Sequence, residues 1–180
     1  MNFQAPDARP VFDLRAYLLG SWSVDRTMLD RATGSGGTFT GVLRLSGVDG
    51  TAGEMDRPGD DDALRFHEEG TISWTSVNGK PFIAPASRDY LLRPSDSPDV
   101  LDMYFPDGRP FHRMGFSEHS SHDRHWCDPD TYRVSYTMTG PDEFSYSWDV
   151  TGPAKDHLIE TKLRRLGPPP AGHRQPGFSE

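Results

Sequence analysis

Between Phe144 and Val150 the chain alternates: Phe144, Tyr146, Trp148 and Val150 are apolar, and Ser145, Ser147 and Asp149 are polar. Successive side chains of a strand point to opposite faces, so this period of two predicts a strand with one buried and one wet face. Tyr132, Val134, Tyr136 and Met138 repeat the pattern. Further short runs near 20–30, 38–46, 63–69, 71–77, 81–92, 99–105, 109–114, 130–138, 143–151 and 157–165 are separated by Gly, Pro, Asn or Asp, the punctuation expected between strands. One stretch has helical spacing instead. Asp13 is placed to cap it, Leu14, Tyr17 and Leu18 share a face, and Gly20 ends it.

About ten short strands without crossover helices predict an all-β fold, a closed antiparallel up-and-down barrel with a short N-terminal helix, or else a sandwich. Asn78-Gly79 and Asp107-Gly108 are the strongest two-residue turn signals. Counting outward from the second pairs Tyr104 with Phe111, Met103 with His112 and Asp102 with Arg113. That register puts Leu101, Met103, Phe105, His112 and Met114 on one face, and Asp102, Tyr104, Phe111 and Arg113 on the other.

Composition then narrows the picture. The 180 residues suffice for one core, expected as a single barrel domain over 11–166. The last fourteen residues (167–180) carry four prolines and little to bury, and read as a disordered tail. The loop from about 47 to 62 is acidic and contains glycine. A formal charge of −8 without a basic run argues against nucleic acid. No segment approaches the ~20 apolar residues of a membrane span, and MNFQAPDARP has no export signal, so a soluble cytoplasmic protein is expected. The single cysteine, Cys127, excludes an intramolecular disulfide and a thiolate-only metal site. A homodimer is left open.

Three groups of residues could carry chemistry. His112, His119, His122 and His125 lead up to Cys127, which raises a metal or haem site, yet no HExxH or paired CxxC accompanies them and SEHSSHDRH reads as a solvated loop. No metal site and no cofactor are therefore expected, and Cys127 reads as a buried, inert thiol rather than a nucleophile. Glu68 shares strand parity with Leu64 and Phe66 and should enter the barrel, where it would meet His112 either as a structural pair or as an acid–base couple. Arg88 and Tyr90, two apart on a strand, face the same way and could grip an oxygen-rich head group, unless both face out.

Leu19-Gly20-Ser21-Trp22 after a short helix resembles the opening of lipocalin-like (calycin) barrels, in which a Trp plugs one end under a basic residue from the end of the chain. That resemblance implies the same role for Arg164 or Arg165. Arg88-x-Tyr90 is similar to the head-group clamp of intracellular fatty-acid-binding barrels, although theirs lies late in the chain. Nitrobindin-like haem barrels also open with Gly-x-Trp, and His157 would be the counterpart of their haem ligand. More specifically, LLGSW, LRFHEEG, SRDYLLR, MYFPDGRPFH, HWCDPDTYRVSY and TKLRR, spread over roughly 17–165, resemble the bacterial family known as domain of unknown function 6314. The resemblance places Glu69, Arg88, Tyr90, His112, His125, Cys127, Asp130 and Tyr132 in motif blocks, and His119 and His122 outside them.

The leading expectation is a barrel that binds a small, largely apolar molecule. Glu68, Glu69, Arg88, Tyr90, Met103, His112, His125, Cys127 and Tyr132 are the candidate contacts. An enzyme using His112 or His125 as general base, with Glu68 or a Tyr as its partner, is the alternative. A haem or metal binder is the third.

Overall fold

The computed structural model describes residues 12–48, 62–75, 79–119 and 121–168. A five-residue helix, α1 (Leu14–Leu18), precedes ten strands: β1 (Gly20–Asp30), β2 (Gly36–Gly47), β3 (Leu64–Thr75), β4 (Phe82–Pro94), β5 (Val100–Tyr104), β6 (Pro110–Gly115), β7 (His122–Cys127), β8 (Asp130–Gly140), β9 (Glu143–Thr151) and β10 (Asp156–Leu166). The sheet order is β6-β5-β4-β3-β2-β1-β10-β9-β8-β7, antiparallel throughout, with β1 and β10 joining the two halves. β6 and β7 come alongside each other without a backbone ladder, so the barrel is nearly closed. At this seam the Arg113 amide donates to Asp123 Oδ2 at 2.5 Å.

The helix forms as its residues dictate. Asp13 accepts from the Ala16 amide at 2.9 Å, and Leu14, Tyr17 and Leu18 are buried. Gly20, at φ 117°, turns the chain into β1. Trp22 plugs this end, donating from Nε1 to the Leu18 carbonyl at 2.8 Å and meeting Phe144 edge-on at 4.9 Å. Arg165 caps it, its Cζ 4.1 Å from the Trp22 ring centroid while its two terminal nitrogens donate to the Leu19 and Tyr17 carbonyls. Of the two late arginines, Arg165 therefore takes the covering position. Arg164 lies outside, paired with Glu143.

The strand count agrees with the sequence reading through two differences that cancel. Residues 63–69 and 71–77 were expected as separate strands, but β3 runs through Gly70 unbroken. Gly70 is there for close approach: a Cβ on it would lie 2.2 Å from the Thr40 carbonyl oxygen, and one on its partner Gly41 would lie 2.2 Å from that of Glu69. In compensation, the polar stretch read as a solvated loop contains β7, which pairs with β8 alone and so needs no apolar face.

The hairpin register changes as well. Met103–His112 and Asp102–Arg113 pair as expected, but Tyr104 pairs with Pro110. The turn has positive φ only at Gly108 (84°), with the Gly108 amide donating to the Phe105 carbonyl and the Phe105 amide to the Arg109 carbonyl. A longer turn of this kind adds a bulge. Phe111 is the extra residue, and instead of facing out with Tyr104 it turns inward beside His112. Asn78 of the Asn78-Gly79 turn, most of the 47–62 loop and nearly all of the 167–180 tail lie outside the described residues. Among the described residues no helix is long and apolar enough to cross a membrane.

Candidate functional site

Pleat parity brings Arg26 (β1), Glu68 (β3), Arg88 (β4), Tyr146 (β9) and Thr161 (β10) together inside the barrel. Arg26 holds Glu68 by two parallel bonds, 2.8 Å to Oε1 and 2.7 Å to Oε2, and donates from Nε to Thr161 Oγ1 at 2.9 Å. Arg88 adds a bond to Glu68 Oε2 at 3.1 Å. Both guanidiniums also donate to the Tyr146 hydroxyl, Arg26 at 2.8 Å and Arg88 at 2.7 Å. Burial alone would push the Glu68 carboxyl up, but the Arg26 hydrogen bonds and the Arg88 charge outweigh it and hold it below the usual carboxylate range.

Glu68 enters the barrel as its parity predicts, but its partners are the two arginines and not His112. The imidazole belongs to a second pair: His112 Nε2 lies 2.5 Å from the Tyr136 hydroxyl. Burial first, then the neighbouring His125 and Arg88, pushes His112 down to about 3, so it is neutral at neutral pH. Burial likewise pushes the Tyr136 phenol well up.

Toward the end away from the helix, aromatic rings close over this polar centre. Phe111 is stacked between Trp148 (5.3 Å, planes 11° apart) and Tyr90 (5.4 Å, 19°), with Phe105 at 4.6 Å and His125 at 5.2 Å against it. Tyr132 meets both His125 and Trp148 edge-on. Below the stack a cavity of about 20 Å³ is lined by Arg88, Tyr90, Met103, Phe111, His112 and Trp148, among others. That is room for about one water molecule.

Of the residues singled out from sequence, Glu68, Arg88, Tyr90, Met103 and His112 thus converge, and His125 and Tyr132 stand at the rim. Two do not join them. Glu69, one residue from Glu68, has the opposite parity and is exposed on the outer wall, paired with Arg44. Cys127 is exposed at the end of β7, not buried, because that strand stops there at a turn. The four histidines do not come together either: His112 is inside, His125 at the rim, and His119 and His122 line a surface groove with Asp99 and Asp123. Among the described residues no three His, Cys, Asp or Glu side chains are grouped to hold a metal.

Sequence reasoning missed Arg26, Phe111, Tyr136, Tyr146 and Trp148 as members of the site. Arg26 was within reach, since it shares parity with Trp22 and Val24. Phe111 was not, since a bulge decides its direction.

The sequence model of a family of unknown function (DUF6314) matches residues 18–165. No curated protein matches the chain. Among solved structures, the S-type phycobiliprotein lyase CPES from Guillardia theta is similar in fold, with a TM-score of 0.57 at 11% identity over 86% of this chain and 91% of that one. Rv2717c from M. tuberculosis gives 0.42 at 18% identity (84% and 94% covered), and a redesigned β barrel, mFAP1, bound to DFHBI gives 0.38 at 15% (86% and 100%). These last two likenesses are too distant to carry an argument.

Proposed function

The chain belongs to the DUF6314 family of unknown function, and we propose that it binds a small, flat, largely apolar molecule in the half of the barrel away from the helix. The observation that carries this reading is the position of Phe111. Its ring lies nearly parallel to Trp148 on one side and to Tyr90 on the other, the arrangement a flat ligand would adopt. It comes from the bulged residue of a six-residue strand, next to the seam with β7, where among the described residues no backbone ladder ties the two strands. Phe111 is therefore held by a short, irregular strand, and it fills a slot between Tyr90 and Trp148, which stand on the longer strands β4 and β9. A ligand takes its place. The cavity of about 20 Å³ measures the filled state, and displacing Phe111 enlarges it.

The phycobiliprotein lyase supports this reading only through its fold. The alternative, in which His112 is a general base, has less support. An imidazole held at about 3 is a weak base at neutral pH, because an effective base titrates near the working pH.

Titration with the neutral fluorophore 1-aminoanthracene tests the proposal. Saturable binding to the wild type, tightened at least tenfold in F111A and weakened at least tenfold in W148A, is expected. No saturable binding to either the wild type or F111A would overturn it.

A further inference from the structure

Two buried side-chain polar atoms among the described residues make no hydrogen bond, Arg88 Nε and His112 Nδ1, and their residues line the same cavity. Leaving such groups unsatisfied is costly, so two in one place indicate something missing there. Arg88 Nε lies 2.8 Å from Glu68 Oε1, within reach of its charge, but its N–H is not aligned to donate to it. An arginine Nε can only donate.

The role of His112 Nδ1 follows from its partner. Tyr136 is a buried, protonated phenol whose hydroxyl contacts His112 Nε2. We assign the phenol as the donor to Nε2, which gives its own proton an acceptor, and a neutral imidazole then carries its proton on Nδ1. Both unsatisfied atoms are thus donors, and His112 itself is 7% exposed.

Charge points the same way. Arg26 and Arg88 bring two positive charges into the barrel, and Glu68 returns one negative charge. Among the described residues the buried Asp130 is balanced by Lys155, and with His112 neutral this centre holds one positive charge more than Glu68 offsets. The Arg88 side chain is 34% exposed and that of Arg26 8%, so the excess sits on the arginine that solvent reaches.

Resting on the binding reading above, we infer that the ligand is a monocarboxylate: its flat apolar body replaces Phe111 between Trp148 and Tyr90, and its carboxylate oxygens accept from Arg88 and from His112 Nδ1. A single negative charge balances the interior, whereas a dianion would overshoot. Planar carboxylate also matches guanidinium geometry. His112 needs no protonation for this role, since its donor is already present in the neutral form.

The test compares anthracene-2-carboxylate with its methyl ester by fluorescence titration at pH 7 on the full chain. The acid is expected to bind at least tenfold more tightly than the ester. In R88M the ratio should fall to about one, and in R88K, which keeps the charge but loses Nε, it should fall to an intermediate value. A circular dichroism melt checks that each variant is folded, and should R88M fail to fold, R88K decides alone. Equal binding of acid and ester, or an unchanged ratio in the variants, overturns the carboxylate assignment and leaves the binding reading standing. If neither compound binds the wild type, the carboxylate assignment is overturned, and if 1-aminoanthracene also fails with both the wild type and F111A, the binding reading falls with it.

Discussion

Glu68 and Glu69 are adjacent on β3 and face opposite sides of it: Glu68, 2% exposed, is gripped by Arg26 and Arg88, while Glu69 meets Arg44 in solvent. Removing one member of a buried ion pair leaves the others uncompensated, so E68Q should cost roughly 3–5 kcal/mol. E69Q should leave stability unchanged, since exposed pairs contribute little. Urea unfolding of the two variants measures the contrast. A midpoint for E68Q equal to that of E69Q would show that the interior network does not hold the barrel together.

The buried imidazole makes stability depend on pH. His112 titrates at about 3 when folded and near 6.5 when unfolded, so between these values the unfolded chain binds the extra proton. Its contribution is complete above pH 6.5 and is lost as the pH falls, by about 1.4 kcal/mol per unit well below 6.5. Exposed His67 works in the opposite direction, because its bond to Asp89 raises it. Subtracting the H112Q profile from that of the wild type isolates His112. The difference should decline between pH 6.5 and 4.5, and a flat difference would mean that the imidazole is not buried neutral.

Arg165 should matter more than a late surface arginine would. Its side chain is 2% exposed, lies over Trp22 and satisfies two carbonyls at the end of α1. R165M keeps much of the bulk but leaves those carbonyls bare, at an expected cost of about 3 kcal/mol with a changed Trp emission. R165K should recover part of that. Denaturation followed by tryptophan fluorescence reads both effects.

Glycine substitutions separate close approach from simple flexibility. G41A and G70A each push a methyl to within 2.2 Å of a backbone oxygen and should lower stability by about 2 kcal/mol or more. G140A meets nothing within 4 Å and should not lower it. Thermal melts of the three variants give the ranking, and equal melting points would contradict the tight β2–β3 contact.

Much of the barrel was readable because each local signal agreed with the whole. Alternation in β8 and β9 and the Asp13 cap depend on residues a few positions apart, and the Trp22 plug was implied by the resemblance to lipocalin-like barrels. Parity alone was enough to send Glu68 and His112 inward. The failures have definite causes. Gly70 reads as a break because glycine often is one, and only the neighbouring strand shows that it faces Gly41. β7 reads as a loop because a strand at the seam with one hydrogen-bonded neighbour can be polar on both faces.

The class of fold, the position of most strands and the inward turn of Glu68 and His112 are written in the chain, because these follow from the pleat and from local turn chemistry. The tertiary structure alone decided who meets whom: Glu68 with two arginines rather than with His112, His112 with Tyr136, Phe111 inside rather than outside. Such pairings join residues 20 to 42 positions apart. They depend on barrel curvature and on a one-residue bulge, and a one-residue shift in a pleated strand exchanges its inner and outer faces.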